Sequence, residues 1–288
     1  MRLGDEGSDN FIDRTGRGGF GGGGGGGNLL GCLLPLVASR FGFVGVAVLL
    51  LGYCALTSLG GGGGGLMPGS GSAPTTSSPA GQSTLTAEDR QVLSGVLLST
   101  EKVWGEIFQQ AGQTYQPPQM VAYSNSDQSG CGAAQSAMGP FYCPTDRRIY
   151  IDPQFFEELS RRFQAPGDFA QGYVIAHEVG HHIQNLEGTL DRAQAAQASS
   201  STAAGNAVQV GVELQADCYA GVWAKRSGVL EEGDMAEGMR AAEAIGDDML
   251  TKGRVSPDNF THGTSAQRQE ALNRGLSTGD PASCNYAR

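Results

Sequence analysis

Histidine is scarce in this chain, four in 288 residues, and two of the four stand in the run His177-Glu178-Val179-Gly180-His181. On a helix, residues four apart lie one turn over the other, so both imidazoles can face one metal ion. Glu178 then lies about 100° further round, beside that ion and not on it. Two imidazoles with a carboxylate beside them suit zinc-assisted hydrolysis, in which the metal activates a water and the carboxylate takes its proton. The preceding Tyr173-Val174-Ile175-Ala176 is apolar, which places the motif on a core-packed helix and not in a loop.

Two histidines do not hold a catalytic zinc; a third protein ligand is required, with a further position left to water. His182 projects about 100° away from its neighbour His181, so packing or solvent is its expected place. The stronger candidate lies in Gly211-Val212-Glu213-Leu214-Gln215-Ala216-Asp217-Cys218-Tyr219-Ala220. Glu213 and Asp217 share one face of a helix built otherwise of apolar and small residues. Glu213 is expected as the third ligand of one zinc ion, and Asp217 as the acceptor that fixes the tautomer of a ligating imidazole. A solvated helix face carrying two charges is the competing reading.

The elements that must position these groups follow from pattern. Thr86-Ala87-Glu88-Asp89 opens a helix that Val92, Val96, Leu97, Val103, Trp104, Ile107 and Phe108 continue. Pro117-Pro118 ends it, and Met120-Val121-Ala122-Tyr123 reads as a short strand. Phe141-Tyr142-Cys143 and Arg148-Ile149-Tyr150-Ile151 read as two strands around a turn, the second offering an edge to an extended peptide. A helix follows Asp152-Pro153, and Asp168 is expected to cap the motif helix, which runs to about Leu186. The polar stretch 189–205 reads as an insertion or a solvated helical hairpin. Further helices are expected over 206–226, 234–250 and 265–274. The expected class is α+β, with a few strands before the motif helix and helices after it.

The pattern His177-Glu178-x-x-His181 followed by Glu213-x-x-x-Asp217 resembles that of thermolysin-like gluzincin peptidases. Three runs resemble more closely a bacterial family of neutral zinc metallopeptidases. They are His177-Glu178-Val179-Gly180-His181-His182-Ile183-Gln184-Asn185, Glu213-Leu214-Gln215-Ala216-Asp217-Cys218-Tyr219-Ala220-Gly221 and Thr261-His262-Gly263-Thr264-Ser265-Ala266-Gln267-Arg268. The likeness extends to the glycine-rich N-terminal segment, the apolar run after it and the tail at 280–285. It implies a gluzincin-like zincin domain with a small antiparallel sheet and an active-site helix, cleaving peptide bonds in proteins or peptides. His262 and Arg268, six residues apart, resemble a pair that flanks the site in membrane-associated gluzincins, which implies a donor to the developing oxyanion in His262 and a cation holding Glu213 or the substrate in Arg268. A surface histidine and a surface charge are the alternative for these two.

Composition bounds the rest. The net charge is −10, and no basic patch interleaves with aromatics, which argues against nucleic acid as a partner. The 46 glycines are unevenly distributed, with unbroken tracts at 21–27 and 60–65. Between them residues 29–59 are apolar except for Arg40, and 41–59 carry no charge, a length that suits one membrane crossing. Arg2, Arg14, Arg17 and Arg40 lie before the uncharged run, and the next basic residue is Arg90, so the positive-inside rule keeps the N-terminus cytoplasmic. The expected organisation is a disordered cytoplasmic tail at 1–28, a transmembrane anchor at 29–59, a Gly/Ser/Pro linker at 60–84 and a periplasmic or extracellular metallopeptidase domain at 85–288. Cys131, Cys143, Cys218 and Cys284 allow three pairings; Cys131–Cys143 closes a short loop and leaves Cys218–Cys284, with buried free thiols as the alternative. The function expected is a membrane-anchored zinc endopeptidase acting on envelope proteins or peptides. Its rivals are a non-catalytic, zinc-stabilised envelope binding or assembly factor and a hydrolase of cell-wall amides. An intact Glu178 weighs against the binding factor, because a purely structural zinc has no use for a base.

Overall fold

The computed structural model describes residues 1–17 and 82–287. The chain starts in a short strand, β1 (Phe11–Asp13), and returns in helix α1 (Ala87–Gln110). Thr86 caps α1 in a capping box with Asp89, as the sequence predicts. Strand β2 (Gln119–Ala122) precedes a hairpin, β3 (Ser126–Ser129) with β4 (Gly132–Gln135), and then strands β5 (Phe141–Cys143) and β6 (Arg148–Ile151). Helices follow: α2 (Gln154–Arg161), α3 (Asp168–Leu186), α4 (Thr189–Ala198), α5 (Thr202–Ser227), α6 (Asp234–Ala244), α7 (Asp247–Leu250) and α8 (Ser265–Thr278). Gly167 stands at the start of α3, and Asp168 lies in its first turn without capping it. The stretch 189–205 is α4 and the first turn of α5, the helical alternative. Gly246 breaks the helix expected over 234–250 into α6 and α7.

The architecture is mixed α/β, and the expectation of a small antiparallel sheet is corrected. The main sheet has the order β1-β2-β6-β5, in which β1, β2 and β6 run parallel and only β5 pairs antiparallel. Strand β6, expected at an edge, lies between β2 and β5, and β5 is the outer strand next to α3. Two causes are hidden from local periodicity: β1, a three-residue strand far back in the chain, joins the sheet, and β2 pairs parallel with β6, which follows only after the hairpin and β5.

The membrane-spanning helix and the single-pass localisation are corrected as well. No helix among the described residues is long and apolar enough to cross a membrane, and 29–59 lies outside the described residues. The first seventeen residues, expected as a disordered tail on the far side of a membrane, pack onto the domain instead. Phe11, Ile12 and Asp13 pair with Met120, Val121 and Ala122, Ser8 and Asn10 donate to Glu101 of α1, and Arg14 pairs with Asp127. Thr84 N–H donates to Thr15 Oγ1 at 3.0 Å, so the chain returns at 82–85 where it left at 15–17. One crossing would put these two flanks on opposite sides of a bilayer, and here they touch. Hydropathy reads the segment and is blind to what its flanks bond.

The core lies between the sheet and the helices. Leu93, Leu97 and Trp104 of α1, Met120, Ile149 and Ile151 of the sheet, Tyr173, Ile175 and Val179 of α3, and Trp223 of α5 are all buried. Each large apolar side chain placed so contributes about 1.5–3 kcal/mol. Two contacts leave little or no room for a side chain. A Cβ on Gly180 would lie 3.0 Å from Ala216 Cα, and one on Gly275 would lie 1.9 Å from the Cys218 carbonyl oxygen. Glycines therefore let α3 press on α5 and α5 press on α8, the two crossings that assemble the site.

Candidate metal centre

Helix α3 carries His177 and His181 on the face turned to α5, and α5 answers with Glu213. One nitrogen or oxygen of each lies within 4.8 Å of the others. His177 Nε2 is 3.2 Å from Glu213 Oε2 and His181 Nε2 is 3.7 Å from the same oxygen. Four-coordinate zinc with bonds of about 2.0–2.1 Å has ligand-to-ligand edges of about 3.4 Å, so these separations bracket what zinc needs. Gln209 Nε2 donates to Glu213 Oε1 at 3.0 Å, which leaves Oε2 turned to the histidines.

The far side of each ring is held by a different chemistry. His177 Nδ1 donates to Asp217 Oδ1 at 2.8 Å, and Tyr173 OH donates to the same oxygen at 2.6 Å. Arg268 closes on Asp217 from α8, Nε to Oδ2 and Nη2 to Oδ1, both at 2.8 Å. His181 Nδ1 donates to Gln184 Oε1 at 2.9 Å. With both Nδ1 atoms protonated, both Nε2 lone pairs converge on the space beside Glu213, the arrangement a cation requires.

The electrostatics agree. Burial disfavours charge on His177, but the Asp217 and Glu213 carboxylates overcome it and raise its pKa to about 10. His181 is likewise lowered by burial and raised, on balance, by Glu213. Burial pushes the Glu213 carboxyl up, yet the two histidines hold it well below the usual carboxylate range. Asp217 is held down against burial, chiefly by Arg268 and His177. Without a metal, these carboxylates hold a second proton on His177; a divalent metal would displace that proton and take up the negative potential of this buried pocket. A family model described as "Putative neutral zinc metallopeptidase" matches residues 1–287.

The chain belongs to this family. It is similar to "Uncharacterized protein YpfJ" of Escherichia coli strain K12, with 50% identity over 204 residues, 69% of this chain and 71% of that protein. It is also similar to "Uncharacterized protein Rv2575" of Mycobacterium tuberculosis strain H37Rv, with 43% identity over 204 residues, 65% of this chain and 67% of that one. No solved structure matches the chain. Zinc is the metal that the family's description names, and the donor set fits it.

The other two histidines stand apart from this cluster. His182 is buried and neutral: Nε2 donates to the Gln116 carbonyl at 2.7 Å, Tyr142 OH donates to Nδ1 at 3.0 Å, and burial lowers the pKa to about 4. Its task is to fasten α3 to β5, as Asn185 does through the same tyrosine oxygen. His262 is half exposed on the loop before α8, with Nδ1 3.1 Å from Asp247 Oδ1. Asp247 Oδ2 also accepts the main-chain N–H of Thr261, His262 and Gly263, at 2.8, 2.6 and 3.0 Å. Arg268, expected on Glu213, on the substrate or at the surface, is buried against Asp217. Cys131–Cys143 and Cys218–Cys284 are both formed.

Sequence reasoning missed Tyr173, Gln184, Gln209, Gln215 and Asp247. Four of the five had a readable signal: Tyr173 precedes His177 by four, Gln184 follows His181 by three, and Gln209 precedes Glu213 by four, all helix neighbours of a member of the cluster. Gln215 is a polar residue within the apolar run of α5. Asp247 had none, because the loop it anchors lies fourteen to sixteen residues further on.

Proposed function

We propose that the chain is a zinc-dependent endopeptidase, with one zinc held by His177, His181 and Glu213. The observation that carries this reading is the convergence of the two Nε2 atoms and Glu213 Oε2, with each Nδ1 bonded away from them. Bound there, zinc supplies the Lewis acidity that polarises a scissile carbonyl and makes a water acidic near neutral pH. Glu178, buried one position round the helix from His177, takes the proton of the attacking water and returns it to the leaving amine. His262, steered by Asp247, donates to the oxyanion as it forms; a donor so placed is worth about 10²–10³ in rate. Asp217 orients His177, and Arg268 with Tyr173 orients Asp217. The outer strand β5, fastened beside α3 by Tyr142, takes the place of β6 as the edge for an extended substrate.

The test uses the full chain with one equivalent of zinc and an unfolded protein substrate, with new termini read by mass spectrometry. Cleavage that stops on chelation and returns with zinc is the expected result. A chain that holds one zinc per molecule and cuts no substrate would leave the binding-factor reading standing in its place.

A further inference from the structure

His181 is oriented by a series of hydrogen bonds that runs out of the site to the C-terminal segment. His181 Nδ1 meets Gln184 Oε1 at 2.9 Å. Gln184 Nε2 donates to the Val212 carbonyl at 2.7 Å and to Gln215 Oε1 at 3.0 Å. Gln215 Nε2 donates to the Cys284 carbonyl at 2.9 Å. Gln184, Gln215 and Cys284 are all buried, so water does not compete for these groups.

The direction of the series is dictated by the two main-chain carbonyls on it, those of Val212 and Cys284. A main-chain carbonyl has no proton to give, so Gln215 must turn its NH2 to Cys284 and its oxygen to Gln184. Gln184 must then turn its NH2 to Gln215 and to the Val212 carbonyl, and its oxygen to His181. The proton of the imidazole is thereby placed on Nδ1, and the Nε2 lone pair is left for the ligand cluster. Asp217 needs no such series to set His177, because a carboxylate only accepts. The Cys284 carbonyl is itself fixed, since Cys284 is bonded to Cys218 on α5, three residues beyond Gln215.

We propose that Gln184 and Gln215 are positioning residues that make the tautomer of His181, and with it the retention of zinc, depend on the C-terminal segment closed by Cys218–Cys284. The inference rests on the zinc ligand set proposed above. It separates the two ligating histidines: His177 is set by buried charge, and His181 by a neutral series anchored on a disulfide.

The experiment is zinc affinity of the full chain by chelator competition, with the His181 ring followed by nitrogen-15 NMR. Gln184→Met and Gln215→Met are each expected to weaken zinc by about 10–100-fold, the range for groups that orient a metal ligand. The double variant is expected to be no weaker than Gln184→Met, because both lie on one path. Cys218→Ser with Cys284→Ser is expected to weaken zinc about tenfold, whereas Cys131→Ser with Cys143→Ser leaves it unchanged. The Nδ1 proton of His181 exchanges faster with water in Gln215→Met than in the parent chain. Should Gln215→Met not fold, Gln215→Leu likewise removes both the acceptor for Gln184 and the donor to the Cys284 carbonyl, and the same loss is expected. Parent-like affinity in either Gln215 variant overturns the proposal, as do losses that multiply in the double variant. A parent chain that binds no zinc overturns the ligand set itself, a result distinct from a normal parent with unaffected variants.

Discussion

At the scale of residues, the site is a pair of oriented imidazoles and one carboxylate, and most of it is legible in sequence because helix spacing is rigid. His177, His181 and Glu178 follow from a spacing of four on one helix, and Glu213 with Asp217 from the same spacing on another. What the spacing does not carry is partner choice across helices. Arg268 illustrates this: its charge is plain, but its burial against Asp217 depends on how α8 crosses α5. Removing one partner of a buried ion pair leaves an uncompensated charge, so Arg268→Met should cost about 3–5 kcal/mol of stability. Chemical denaturation in chelator checks this, and a loss below about 1 kcal/mol would mean that Asp217 finds compensation elsewhere.

At the scale of elements, the site depends on close helix crossings and on one anchored loop. Gly275→Ala would drive a methyl into the Cys218 carbonyl, and overpacking of this kind costs about 1–3 kcal/mol. A lower denaturation midpoint with weaker zinc binding is expected, since the displaced helix carries Arg268. The loop 261–263 hangs on Asp247, whose carboxyl burial would raise but His262 and the loop N–H groups hold below its ordinary value of 3.8. The sign follows: the folded carboxyl is the stronger acid, so its contribution is fully present above about pH 4 and is lost as pH falls below that. Asp247→Asn should reproduce the acid state at neutral pH, lowering kcat with KM little changed. An equal loss in kcat and kcat/KM at unchanged zinc is the kinetic sign that His262 serves the transition state. Helices α1, α3 and α5 were readable from apolar periodicity and capping. Strand β1 and the hairpin β3–β4 were not, because three or four residues of mixed polarity carry no period.

At the scale of the whole molecule, distant segments close on one another, and here sequence reading failed most. The apolar run suggested a chain divided by a membrane, whereas the residues before and after it join one sheet and one helix cap. Cysteine arithmetic did better, since four cysteines admit few pairings and both expected bonds are formed. Loop length ranks them: Cys218–Cys284 spans 66 residues and should contribute about 4 kcal/mol, against about 3 kcal/mol for Cys131–Cys143, which spans 12. Melting of the two serine double variants checks the order, and a larger loss from the shorter loop would contradict it. The central claim is that this assembled centre hydrolyses peptide bonds with Glu178 as its base. It is tested most directly by measuring zinc content and substrate cleavage side by side in the full chain and in Glu178→Gln. The account predicts one zinc in each and a fall in cleavage of about 10²–10⁴-fold in the variant. Undiminished cleavage by Glu178→Gln at full zinc would contradict it.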